Sequence, residues 1–132
     1  MNMQIEIGAV GRAETAVTDA NTAIAAGSGT LPVFGTPFMA ALMERAAVNA
    51  LAPYLDAGDG SVGTRLDITH DAATPVGMSV RAEAEVTGLD RRRVVFAVRA
   101  FDEAGQIGGG VHERFVVGAE KFLAKARSRK EA

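Results

Sequence analysis

The run Pro37-Phe38-Met39-Ala40-Ala41-Leu42-Met43-Glu44-Arg45-Ala46-Ala47-Val48 places apolar residues on nearly every side of a helix, and a helix of that kind is one that a fold buries. Local signals frame it. Thr36 suits the N-cap and Pro37 the first helical position, where a missing N–H costs nothing, while Pro53 stops the helix near Leu51. A single carboxylate, Glu44, stands in the middle of the run. Carboxylates are seldom fully buried unless they are paired or working, which makes Glu44 the first candidate for chemistry.

Outward from the helix, the chain reads as strands. Towards the N-terminus, Ile5, Ile7 and Val17 flank a Gly8–Gly11 break and suggest an edge strand. The small residues of Ala23-Ile24-Ala25-Ala26-Gly27-Ser28-Gly29-Thr30 suit a mobile loop or lid. Beyond the turn Asp56-Ala57-Gly58-Asp59-Gly60 the pattern has period two: Val62, Thr64, Leu66, Ile68 and His70 on one face, Gly63, Arg65, Asp67 and Thr69 on the other. A second strand is expected from Val76 to Thr87, a turn at Gly88-Leu89-Asp90-Arg91, a third strand from Val94 to Arg99, a hairpin turn at Asp102-Glu103-Ala104-Gly105 and a last strand from Ile107 to Val117. The basic end, about residues 120–132, reads as a solvated tail or a frayed helix. Short turns favour antiparallel neighbours. The expected architecture is therefore α+β, an antiparallel sheet wrapped around one long central helix, in a single domain spanning residues 1–132.

Composition narrows the function classes. A chain of 132 residues, 48% of them apolar, can bury a core without disulfides or metal staples. The net charge of −2, from 14 basic and 16 acidic residues, gives no electrostatic case for binding nucleic acid. The absence of cysteine removes thiolate nucleophiles and Cys-ligated metals and fits a reducing cytosol, and two histidines are too few for a His-rich metal cluster. The start, Met1-Asn2-Met3-Gln4-Ile5-Glu6, lacks the features of a signal peptide. No apolar run reaches the roughly 20 residues that a membrane helix needs. A small cytoplasmic protein without a metal is expected.

Several motifs carry a family likeness. Gly27-Ser28-Gly29-Thr30-Leu31-Pro32-Val33-Phe34-Gly35-Thr36-Pro37-Phe38-Met39 followed by Leu42-Met43-Glu44, then Ser61-Val62-Gly63-Thr64, Thr69-His70-Asp71-Ala72-Ala73-Thr74-Pro75-Val76-Gly77-Met78, Ile107-Gly108-Gly109-Gly110-Val111-His112-Glu113-Arg114 and Lys121-Phe122 together resemble the hot dog-fold, thioesterase-like family with fluoroacetyl-specific members. The resemblance implies hydrolysis of an acyl-CoA thioester by a homodimer with active sites at the subunit interface, coenzyme A entering as part of the substrate and no other cofactor. It implies a catalytic triad of Thr36, Glu44 and His70, supported at the substrate by Gly63 and Arg114. The fluoroacetyl-specific members carry bulky phenylalanines in a lid before the helix. Ala25 to Thr30 has none, which implies a different or broader acyl group.

Each residue also has a plainer alternative. Glu44 can attack the thioester carbonyl or deprotonate water, or it can pair with an arginine on a solvated strip. The Thr36 hydroxyl can cap the helix or hydrogen-bond substrate. His70 is a core histidine bonded to a carbonyl, or an acid/base with an unperturbed pKa near neutrality. Gly63 offers its N–H or marks a bulge. Arg114, on one strand face with His112, orients Glu44 or the thioester, or forms an ordinary ion pair. Gly108-Gly109-Gly110 lets the last strand bend or pass close to a ligand. Lys121, Lys125, Arg127, Arg129 and Lys130 form a solvated basic end, with contact to coenzyme A phosphates as the functional option. Thr36 and Glu44 are roughly 12 Å apart along one helix, at 1.5 Å rise per residue. If both serve one reaction centre, they come from different subunits. The alternative function is a non-catalytic acyl-CoA or small-ligand binding protein of the same fold.

Overall fold

The computed structural model describes residues 4–131. In chain order the elements are β1 (Val10–Ala16), α1 (Ala23–Ala26), α2 (Thr36–Leu51), β2 (Asp59–His70), β3 (Ser79–Asp90), β4 (Arg93–Asp102), β5 (Gly105–Gly118) and α3 (Ala119–Ser128). One antiparallel sheet runs in the order β1-β3-β4-β5-β2, and α2 packs across its inner face. This is the expected α+β arrangement. The helix ends at Leu51, and Pro53 falls in the short 3-10 turn that follows.

The inner face is built from the period-two residues of the middle strands. Val80, Ala82, Ala84 and Val86 of β3 and Val94, Phe96, Val98 and Ala100 of β4 are all buried. They meet Met39, Leu42, Met43, Ala46, Ala47, Ala50 and Leu51 of α2. Small side chains let the helix sink onto the sheet. Gly11 of β1 lies so close that a Cβ there would strike the Ala46 carbonyl oxygen and the Ala50 backbone nitrogen. The glycines of β5 serve the same end: a Cβ on Gly108 would meet the Met39 side chain 3.0 Å away.

Four sequence expectations need correction. The helix is not buried all round: Ala41, Arg45, Val48 and Asn49 are exposed, and Glu44 sits at the boundary, because the sheet covers α2 from one side only. The N-terminal strand begins at Val10, within the expected glycine break, and incorporates Gly11. In β2 the pairing slips between Gly63 and Arg65, so that Gly63 faces Arg114 while Leu66 faces His112. Thr64 is the extra residue of this bulge, with its hydroxyl donating to the Glu113 carbonyl at 3.2 Å. The bulge moves Gly63 onto the inward face that also carries Leu66, Ile68 and His70, and turns Val62 outward. A similar slip between Val86 and Gly88 carries β3 on to Asp90, so the turn falls at Arg91 and Arg92. The basic end is an exposed helix, α3.

Replacing Gly11 with Ala forces backbone apart from backbone. The variant is expected to lose about 3 kcal/mol, the upper end of ordinary overpacking, and roughly 10 °C in thermal midpoint at this chain length. Gly118→Ala, where a Cβ meets nothing within 4 Å, should leave the midpoint in place. Calorimetry of both variants checks the pair.

Candidate active site

The N-terminal end of α2 brings together the first two residues of the expected triad. Gly35 occupies the N-cap in extended conformation and no side chain caps the helix. The Thr36 hydroxyl is therefore not a cap. It lies 2.7 Å from Nδ1 of His70, at the end of β2. Nε2 of His70 is buried and has no hydrogen-bond partner among the described residues. Burial lowers the His70 pKa from its ordinary 6.5, against the smaller opposing effects of a backbone hydrogen bond at Ala72 and the charge of Asp71. A cleft of about 230 Å³ opens beside the pair, bounded by Ala23, Ser28, Phe34 and Ala72. Ala23 on its rim opens α1, a single turn whose N-cap Thr22 accepts from the Ala25 N–H at 3.2 Å.

Glu44 lies about two helical turns further along α2 and belongs to a second group. Its side chain is 42% exposed, while that of Arg114 beside it is only 7% exposed. Arg114 donates from Nη1 to Glu44 Oε2 at 3.1 Å. It also donates from Nε to the Ser61 hydroxyl at 2.9 Å and from Nη2 to the Ser61 carbonyl at 3.0 Å. Burial lowers the Arg114 pKa, and the charge and hydrogen bond of Glu44 oppose that shift. Gly63 forms the floor: a Cβ at this position would come within 2.5 Å of Glu44 Oε2. The strand glycine is thus both a residue beside a bulge and the gap into which the carboxylate fits.

Two further side chains complete this group, and neither was assigned a role from sequence. Ser61 holds two edges of the guanidinium. His112, with a side chain only 1% exposed, places Nε2 at 3.9 Å from Glu44 Oε2 and 3.2 Å from Arg114 Nη1. Its position two residues before Arg114 on one strand face was the available signal. Ser61 stood only in the motif Ser61-Val62-Gly63-Thr64, without a role, because its partner is distant in sequence. Burial lowers the His112 pKa from its ordinary value.

The chain therefore joins Thr36 to His70, and Glu44 to Gly63 and Arg114, as two clusters separated along α2. Among the described residues, no group of His, Cys, Asp or Glu side chains is placed to hold a metal ion. Among the described residues, too, no helix is long and apolar enough to cross a membrane.

Known proteins resemble this chain in sequence and in fold. The family model described as fluoroacetyl-CoA-specific thioesterase matches residues 17–120. The fluoroacetyl-CoA thioesterase of Streptantibioticus cattleyicolor is 49% identical over 100 residues, which cover 76% of this chain and 72% of that protein. A solved structure of the fluoroacetyl-CoA thioesterase superposes with a TM-score of 0.88 at 40% identity, covering 93% of this chain and 96% of the other. A Thermus thermophilus thioesterase superfamily member gives a TM-score of 0.88 at 31% identity, covering 96% of this chain and 94% of its own. The chain has the hot dog fold and belongs to the fluoroacetyl-CoA-specific thioesterase family.

Proposed function

We propose that this acyl-CoA thioesterase hydrolyses a small acyl group with Glu44 as its catalytic carboxylate and Thr36 and His70 completing the site. The observation that carries the reading is the state of Glu44: half-exposed, yet fixed through Oε2 by a buried arginine. One carboxylate oxygen is anchored and the other is left for chemistry. In hydrolysis, an oxygen adds to the thioester carbonyl carbon, the C–S bond breaks, and the departing thiolate takes up a proton. Glu44 either adds directly, forming a mixed anhydride that water opens, or removes the proton from the attacking water. Thr36, in the first turn of α2, presents its hydroxyl near the positive end of the helix dipole, where negative charge on the carbonyl oxygen is favoured. In the water route the proton taken from water passes to His70, kept neutral at rest by burial, which gives it to the thiolate; in the anhydride route the thiolate takes its proton from solvent. Arg114 directs its donors to Glu44 and Ser61 rather than to an open cleft, so its support of the substrate is indirect.

The substrate follows from the lid. The relative from Streptantibioticus cattleyicolor is named for fluoroacetyl-CoA. Here Ala25 to Thr30 contains no aromatic side chain, and the cleft beside Thr36 is rimmed by small residues such as Ala23, Ser28 and Ala72. A broader range of short acyl groups fits that rim.

The two clusters meet in a homodimer. Thr36 and Glu44 are held roughly 12 Å apart by the rise of α2, too far to grip one atom. β2, which carries Gly63 and His70, is a 12-residue edge strand, and long unpaired edges invite pairing. Its inward residues Leu66 and Ile68 are only partly covered by their own helix. A two-fold axis then sets Glu44 of one subunit against Thr36 and His70 of the other. The cysteine-free composition suits action in the cytosol.

Thiol release should be followed with short, branched, aromatic and fluorinated acyl-CoAs. Turnover of short acyl-CoAs is expected, with kcat falling about 10²- to 10⁴-fold in Glu44→Gln; saturable binding of every acyl-CoA without turnover would replace the enzyme by a binding protein. Mixing subunits tests the shared site. Glu44→Gln and His70→Ala proteins, each inactive alone, should recover about a quarter of wild-type activity on exchange, since half the dimers are mixed and each mixed dimer has one intact site. No recovery after demonstrated exchange would place the triad within one chain. The acid limb of kcat/KM should lie below the ordinary imidazole value of 6.5, as burial lowers the His70 pKa and activity needs the neutral ring. A limb above that value would assign the proton transfer to another group.

A further inference from the structure

His112 is buried in the core beneath Glu44, stacked on Phe96 with ring centroids 6.0 Å apart. Both of its nitrogens have partners, and the partners decide the tautomer. Nδ1 lies 2.7 Å from the backbone carbonyl oxygen of Arg65. A carbonyl oxygen can only accept, so Nδ1 carries the proton. Nε2 lies 3.2 Å from Nη1 of Arg114. A guanidinium can only donate, so Nε2 is bare and accepts. The two contacts are mutually consistent with one neutral ring.

The same Arg114 nitrogen that meets His112 also donates to Glu44 Oε2. An Nη1 group has two N–H bonds in the guanidinium plane. With one directed at His112 and the other at the carboxylate, the plane of Arg114 is set at this end, as Ser61 sets it at the other through Nε and Nη2. Ser61 and Arg65 both belong to β2, on either side of the bulge at Thr64. The ring therefore ties the bulged strand to the guanidinium and the guanidinium to the helix carboxylate.

We propose that His112 is the positioning residue of this site: as a neutral imidazole protonated on Nδ1, it accepts a hydrogen bond from Arg114 and thereby aims Arg114 at Glu44. It touches neither substrate nor reacting atoms. The proposal rests on Glu44 being the catalytic carboxylate, and its effect is on the orientation of that group rather than on binding. A partner that only filled space at this position would act through stability and would not depend on Glu44.

The test combines a spectroscopic and a kinetic measurement. In wild-type dimer labelled with ¹⁵N-histidine, the His112 resonances should show a protonated Nδ1 and a pyridine-type Nε2; a protonated Nε2 in the resting enzyme would overturn the proposal, whatever the activity. In kinetics, His112→Leu should lower kcat about 10- to 100-fold, the rate equivalent of one hydrogen bond to a charged group, with KM little changed. His112→Gln, whose amide oxygen can reach the Nε2 position and accept from Arg114, should recover most of that loss. In a Glu44→Gln background, His112→Leu should add nothing further. Equal impairment of the Leu and Gln variants, or the same fractional loss in the Glu44→Gln background, would make His112 merely structural and overturn the proposal. Wild-type activity in Glu44→Gln alone would instead remove Glu44 from the chemistry, an outcome separable from the tautomer because the ¹⁵N spectrum does not depend on turnover.

Discussion

A guanidinium taken out of water must find acceptors for its N–H groups, since an unpaired buried charge costs several kcal/mol. Arg114 sits under α2 with almost no exposure, and its acceptors come from three elements: Ser61 on β2, His112 on its own strand and Glu44 on the helix. Meeting that demand constrains everything around it. β2 must approach closely enough for Ser61 to offer both its hydroxyl and its carbonyl. The residue opposite Arg114 in the pairing must leave room for the carboxylate, and that residue is Gly63. The helix must lie at the height that lets Glu44 reach down.

The helix reaches that height because its underside is small. Ala46, Ala47 and Ala50 are buried against a strand that carries Gly11 at the point of closest approach. Larger residues would lift α2 away from the sheet and lengthen the gap between Glu44 and Arg114. With the helix seated, its rise also fixes the spacing of Thr36 from Glu44. The covalent geometry of one element thus separates the two clusters.

β5 works on both of its faces. His112 and Arg114 point inward, while Glu113 between them points outward and is clamped by Arg93 from β4 and Arg65 from β2. Those ion pairs lower the Glu113 pKa, first through the Arg93 hydrogen bond, against the opposing effect of burial. A strand gripped from both neighbours cannot slip in register, and a slip of one residue would exchange the inward and outward sets. The register that places His112 and Arg114 beneath Glu44 is secured by contacts on the opposite side of the sheet.

Much of this was legible in the chain because it is local. Pro37 and Pro53 bracket the helix by backbone rules that act within a few residues, and the alternation of Val80 to Val86 and Val94 to Ala100 marks strands with one buried face. Motif likeness pointed to the family, and the comparisons bear that out. Alternation failed in β2: Gly63 offered a bulge as one reading, but nothing in Gly63-Thr64-Arg65 marks Thr64 as the extra residue until β5 is laid beside it. The Thr36 hydroxyl looked like a cap because the competing partner, His70, is 34 residues away. Composition also overstated the burial of Glu44, since how much of a helix is covered depends on what packs against it. The sequence by itself determined the elements, their order and the identity of the titrating groups. Only the tertiary structure decided which groups meet, because Glu44 and Arg114 are 70 residues apart and their pairing depends on a register, a bulge and a close helix approach that no local pattern encodes.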